Sequence, residues 1–287
     1  MTTVKRRRLG LTHTSVYADG GYTLYAPQTG GGRVPFINNK GEIIHEWHMP
    51  VRPGRDAVLL SNDGNLGYNG CHNTSVDLYP PWDIWHGGHF MEADKDSNIL
   101  WEYEDPYAHH DAQWLNDGLL YVAAADYKDG RYGDVVRIVD RQGNVTWEWC
   151  AWEHITEEEF PVHTGFPDNH WPMINGVCYS GNTIYMSLRN TSGIIGVDRR
   201  TKEIVWQKKW PDVAQQHCPV VTKEGTLIAF CNGNIRPPGV HHSRIVEFDI
   251  ATGKQVWSYV DDMPPAFFSP YMGSVQRLWN GNTFICE

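Results

Sequence analysis

The sequence contains no run of about 20 consecutive apolar residues, the length a membrane-crossing helix requires, so no membrane partner is expected. Positive charge is scarce as well: Lys and Arg number 24 against 34 Asp and Glu, a formal net charge of -10, which argues against a nucleic-acid partner. The one basic run, Lys5-Arg6-Arg7-Arg8, leads into Leu9-Gly10-Leu11-Thr12-His13-Thr14-Ser15, too polar and too short for the apolar core of an export signal. Residues 1–20 therefore read as a solvated N-terminal arm and the expected location is cytoplasmic. Cys71, Cys150, Cys178, Cys218, Cys231 and Cys286 include no Cys-x-x-Cys pair, which removes zinc ribbons and dense disulfide frameworks and predicts reduced thiols. No segment sustains a 3.6-residue apolar period, and Gly and Pro interrupt the chain too often for long helices. Only Thr156-Glu157-Glu158-Glu159 reads as a single helical turn.

Tryptophan and histidine, by contrast, are abundant, with 13 and 14 copies. The tryptophans follow a repeat. A turn and a short strand ending in Trp recur at Ile43 to Trp47, Asn98 to Tyr103, Asn144 to Trp149, Glu203 to Trp206 and Lys254 to Tyr259, roughly 50 residues apart, a period typical of propellers and solenoids. Within a unit the order is an inner segment, a turn, an apolar strand, a strand ending in Asp, a second turn and the Trp strand. Asp111 to Leu115, Leu119 to Ala124, Val135 to Asp140 and Val145 to Trp149 show it best, with Asn116-Asp117-Gly118 and Arg141-Gln142-Gly143 as turns. Four short antiparallel strands per repeat make a blade, so residues 1–287 read as a single all-β domain, a β-propeller. Five Trp strands count five blades, while the surplus strand Tyr22 to Tyr25 leaves room for an incomplete sixth. Val275 to Leu278 and Thr283 to Cys286 read as inner strands that could join the N-terminal strands in one blade and close the ring.

Gly21-Tyr22-Thr23-Leu24, Trp101-Glu102-Tyr103 with His109-His110-Asp111, Ser187-Leu188-Arg189, Gln216-His217, Asn232-Gly233 with Ser243-Arg244, and Gln276-Arg277-Leu278-Trp279-Asn280-Gly281-Asn282-Thr283 occur in an order that resembles the arylsulfotransferase family. The resemblance implies six blades and a ping-pong transfer in which a histidine takes a sulfuryl group from a phenolic sulfate and passes it to another phenol. It implies His217 as nucleophile, His110 as a channel histidine, Asn175 as a sulfate contact and Arg189 as the group that neutralises charge on the leaving group. Where the family has histidine two residues before the asparagine, this sequence has Met173-Ile174-Asn175, and where the family often has Phe-Asp-Asn-Gly it has Phe230-Cys231-Asn232-Gly233.

Taken on chemistry alone, the first strand of each blade lines the channel, and His86, His89, His109, His110, His163, His170, His217, His241 and His242 fall in or near those strands. A neutral imidazole is a competent nucleophile near pH 7, so His217 fits covalent transfer, or else is a buried histidine bonded to backbone. Adjacent strand residues face opposite ways, which favours His110 over His109 for the channel. Arg189 is either an anion clamp or an interblade ion pair, with Arg236 and Arg244 at the rim. Asn175 and His170 are candidate substrate contacts, and Trp85, Trp171 and Phe268 candidate walls for a small aromatic or anionic substrate. Phe267 to Tyr271 would form a lid. Two other readings stay open: a divalent zinc or copper bound by His89, His110, His170, His217 and His242 in a hydrolase, lyase or hydratase, and a non-catalytic binding propeller.

Overall fold

The computed structural model describes residues 11, 13–60, 64–73, 86–166, 168–235 and 241–287. Most of the basic arm, together with Trp85 and Arg236, lies outside these residues. The fold is an all-β propeller. Strands β4 (Pro53–Leu59), β5 (Leu66–Cys71), β6 (Gly88–Ala93) and β7 (Ile99–Glu104) pair in chain order as one antiparallel sheet. Strands β8 (Ala108–Leu115), β9 (Gly118–Asp126), β10 (Tyr132–Asp140) and β11 (Val145–Cys150) form the next, with the short β12 (His170–Trp171) added parallel to β10. Two further four-stranded sheets follow, β13 (Ile174–Ser180) to β16 (Ile204–Lys209) and β17 (Gln216–Val221) to β20 (Gln255–Tyr259).

The Trp repeat has two local causes. In three of the four-stranded sheets the third strand runs into an aspartate whose carboxylate fastens the following turn: Asp94 accepts the N–H groups of Asp96 and Asn98, Asp140 those of Gln142 and Asn144, and Asp198 those of Arg200 and Thr201, all at 2.8–2.9 Å. The outer-strand tryptophan then reaches the corresponding turn of the next sheet. Trp47 Nε1 donates to Asp94 O (2.9 Å), Trp101 Nε1 to Arg141 O (2.9 Å) and Trp147 Nε1 to Arg199 O (2.8 Å), so each ring fills an interblade gap while its polar handle is satisfied. Trp206 packs edge-on to Phe248 without such a bond, and Trp257 lies under the Arg277 guanidinium.

Apolar side chains bury between successive sheets, the largest cluster running from Leu120 and Val136 through Trp149, Trp171, Ile174 and Met186 to Val197. Ala151–His154 is the short helix α1, and an i to i+4 bond from Phe160 N–H to Thr156 O (3.0 Å) closes the expected acidic turn. Among the described residues no helix is long and apolar enough to cross a membrane. All six thiols are free.

The ends do not merge into one blade as expected. Strands β1 (Tyr22–Leu24), β2 (Arg33–Asn38) and β3 (Ile43–His48) form a three-stranded sheet, whereas β21 (Ser274–Arg277) and β22 (Thr283–Cys286) form a separate two-stranded one. The surplus strand is the reason: β1 already occupies the free edge of β2, where β22 would have paired. The two ends touch through Asn282 Nδ2, which donates to Tyr17 O at 2.7 Å. Five sheets thus carry a Trp strand, and β21–β22 is an additional pair without one.

Candidate functional site

Each of the four complete sheets interrupts its innermost strand at the same point. In β4 the pairing jumps from Pro53–Gly70 to Ala57–Tyr68, in β8 from Ala108–Ala123 to Ala112–Tyr121, in β13 from Ile174–Leu188 to Gly176–Ser187, and in β17 from His217–Phe230 to Val220–Ile228. Bulges of this kind re-aim side chains. The residues at or beside them are Arg55 and Asp56, His109 to Asp111, Asn175, and His217 with Cys218. Left-handed backbone at His110 (φ 57°), Met173 (66°), Gln215 (49°) and Cys218 (52°) marks the same level of the ring. Gly176 permits the close approach of two of these strands, since a Cβ there would sit 2.6 Å from Pro219 Cδ.

His217 is buried, and its Nδ1 lies 2.6 Å from Asn232 Oδ1. Asn232 Nδ2 donates to the carbonyls of Ser269 (2.8 Å) and Met272 (2.7 Å), which fixes Oδ1 as the acceptor facing the imidazole. His217 therefore carries its proton on Nδ1, and Nε2 is the lone-pair nitrogen. Burial pulls its proton affinity well below that of an ordinary histidine, and the charges of Arg55 and Arg189 pull it further.

His110 is also buried and strongly depressed, by burial first and then by His109, Arg55, His217 and Arg189. Its Nδ1 sits 2.7 Å from His109 Nδ1. Behind it, His109 Nε2 is 3.1 Å and His170 Nε2 2.6 Å from the same oxygen, Oδ1 of the fully buried Asp134, whose Oδ2 accepts Ile174 N–H at 2.8 Å. Burial alone would raise Asp134, but the two imidazoles outweigh it and hold the carboxyl at about 2.

Arg189 is 9 % exposed, lies over the Phe166 ring at 5.0 Å, and donates to Asn190 Oδ1 at 2.9 Å. No carboxylate pairs with it among the described residues, and burial lowers its pKa to about 10. On the opposite inner strand, burial and the nearby Asp111 raise Asp56 to about 7, with Arg55 opposing. Asp111 accepts Val177 N–H at 2.8 Å and so ties two inner strands together rather than holding His110.

The remaining sequence candidates divide. Asn175 is fully buried in the wall: its Nδ2 donates to Gln216 O (2.9 Å) and its Oδ1 accepts from Ser187 Oγ (2.7 Å), which braces the strand bearing His217. Trp171 is a core residue and not a pocket wall, because its ring is fully buried and Nε1 donates to Phe160 O at 2.8 Å. Phe268 is half-buried beside His241 in the loop that Asn232 fastens, so a freely moving lid does not fit that loop. His170 faces Asp134 as a buttress behind His109. The five-histidine metal set does not assemble: His89 pairs with Glu102 (3.2 Å) and Glu104 (3.4 Å) on its own blade, and His242 belongs to no ligand grouping among the described residues. The buried grouping with metal-ligand geometry is instead His109, Asp134 and His170, atoms within 4.8 Å of one another. Arg244 donates to Pro211 O (2.8 Å) and Asp212 O.

Sequence reasoning missed Arg55, Asp56, Asp134 and the role of Asn232. Arg55-Asp56 occupies the same place in its repeat as His110-Asp111, and aligning the repeats would have found it. Asp134 left no signal, since it opens an apolar strand far in sequence from its partners.

The arylsulfotransferase (ASST) family model matches residues 95–212 and 207–287, well over half of the chain. A protein of unknown function from Bacteroides caccae superposes with a TM-score of 0.60 at 12% identity, over 92% of this chain and 82% of that one, and it supports the fold. BamB from Moraxella catarrhalis gives 0.44 at 13% identity, over 84% and 62% of the two chains. No curated protein matches. With most of the ordered motifs and of the repeat falling inside the residues the family model matches, the chain belongs to the arylsulfotransferase family.

Proposed function

We propose that the protein transfers the sulfuryl group of a small aryl sulfate to a second phenol through His217. The observation that carries this reading is the Nδ1–H bond from His217 to Asn232, which leaves an unprotonated Nε2 on a buried imidazole that stays neutral throughout the physiological range. In the first half-reaction Nε2 attacks sulfur, an N–S bond forms, and the S–O bond to the aryl group breaks with its electrons leaving on the phenolate. Arg55 and Arg189 supply the positive field for the sulfate and for that phenolate. Those cations deepen the depression that burial causes in the free imidazole, and the incoming anion, by neutralising them, relieves their part of it. In the second half the acceptor hydroxyl gives its proton to His110, its oxygen attacks sulfur, and the N–S bond returns its pair to His217. His110 then releases that proton to solvent, from which the departed phenolate takes one, and the cycle balances.

A second reading rests on one observation, the grouping of His109, Asp134 and His170, which could hold a zinc or copper ion for hydrolysis. Incubation with an aryl sulfate and no acceptor separates the two. The transfer reading expects a sulfuryl adduct on the peptide carrying Gln216-His217-Cys218, absent in His217→Ala along with all turnover. No adduct, and activity that falls with metal content in His170→Ala, would refute it.

A further inference from the structure

We infer that His89, Glu102 and Glu104, joined by His72, form a binding site for a divalent transition metal of the zinc type on the blade of β4 to β7, separate from the buried histidines and independent of the transfer chemistry. Register brings the four side chains together. His89 on β6 pairs directly with Glu104 on β7, and Glu102, two residues before Glu104, lies on the same face. On the other side of His89 the β5 partner is Gly70, which carries no side chain to intervene. His72, two residues beyond Gly70, continues that face just past the strand end, where its N–H donates to Gly87 O at 3.0 Å.

The distances match the edges of a coordination tetrahedron. His89 Nε2 stands 3.2 Å from Glu102 Oε2 and 3.4 Å from Glu104 Oε1, and His72 Nε2 stands 3.2 Å from Glu104 Oε2. Ligands about 2.0 to 2.2 Å from a tetrahedral zinc are about 3.3 to 3.6 Å from one another. An ion pair has similar spacing, and charge separates the two cases: a proton on His89 neutralises one of the two carboxylates it faces, whereas a dication neutralises both. Among the described residues neither Glu102 nor Glu104 pairs with a lysine or an arginine. Two imidazoles in the set favour zinc and its neighbours over calcium or magnesium, which take oxygen ligands. The side chains of His72 and His89 are 14 % and 17 % exposed and those of Glu104 and Glu102 53 % and 60 %, so an ion reaches them from solvent without any opening of the blade. Once bound, it staples β6 to β7 and to the chain leaving β5.

The experiment is a calorimetric zinc titration of the full-length protein, first stripped with a chelator, near neutral pH, with the thermal unfolding midpoint followed in parallel; neither readout depends on turnover. The parent should bind zinc, and its midpoint should rise as it does. His89→Ala should weaken that binding by more than about 10-fold and abolish the rise in midpoint. Glu102→Gln keeps the size of the side chain and removes its charge; it should weaken binding as well, and it tests the site even if His89→Ala is poorly folded. His170→Ala, which alters only the buried grouping, should leave this binding in place. No zinc bound by the parent, equal binding by the parent, His89→Ala and Glu102→Gln, or calcium bound as tightly as zinc overturns the inference. Binding lost in His170→Ala and kept in His89→Ala puts the metal at the buried grouping and overturns it too.

Discussion

Burying neutral histidines makes folding oppose protonation, and the cost can be worked out for His110. In the unfolded chain the imidazole titrates near 6.5, while in the folded protein burial and nearby cations hold it well below. Between those two values the unfolded state binds the extra proton, so stability is full above about pH 6.5 and falls as the pH drops through it. At pH 5.5, a unit below the unfolded value, the loss is on the order of 1 kcal/mol, against almost nothing at pH 7.5. His217 contributes in the same direction. Asp56 opposes them, because a carboxyl raised to about 7 favours the folded state as the pH falls below that value. A difference measurement removes these other groups. The destabilisation caused by His110→Asn, from urea unfolding, should be smaller at pH 5.5 than at pH 7.5 by about 1 kcal/mol. Equal destabilisation at the two pH values would show that His110 is not held neutral, and the electrostatic picture of the site would be wrong.

The other expectations are simpler. Trp147→Ala should cost about 3 to 5 kcal/mol as a buried truncation, and Trp147→Phe about 1, by leaving the Arg199 carbonyl unpaired; chemical denaturation reads both, and a parent-like midpoint for the Ala variant would refute the interblade anchor. Arg189→Ala should lower kcat/KM for an anionic aryl substrate by roughly 10²-fold, the scale of losing one oriented donor, while Arg200→Ala in an exposed turn changes nothing. Equal effects would take Arg189 out of the site.

What could be read from the sequence was local or periodic. The Asp-capped turns form within a few residues of chain, so their spacing appears directly, and the Trp strands repeat because every interblade gap needs the same filling. Knowing that first strands face the axis was enough to bring His110 and His217 into one region. The family motifs supplied Arg189. Other features depended on register. A bulge is an extra residue on one strand relative to its partner, and no single strand records that mismatch; hence His109, which simple alternation turned away, meets His110 instead.

Long-range partners were equally hidden. Asp134 draws together His109 and His170 from either side of it in the chain, through a parallel pairing of β12 with β10 that no hairpin rule anticipates. Trp171 read as a pocket wall because it is an aromatic residue near the channel loops, but packing placed its ring in the core and its N–H on Phe160 O. The sequence alone determined the repeat, the β-propeller class and the kinds of side chain brought to the axis, because these follow from short-range turn chemistry and periodic burial. Only the tertiary structure decided which nitrogen of His217 carries the proton, because that depends on the distance to an asparagine that a neighbouring strand of the same blade brings beside it.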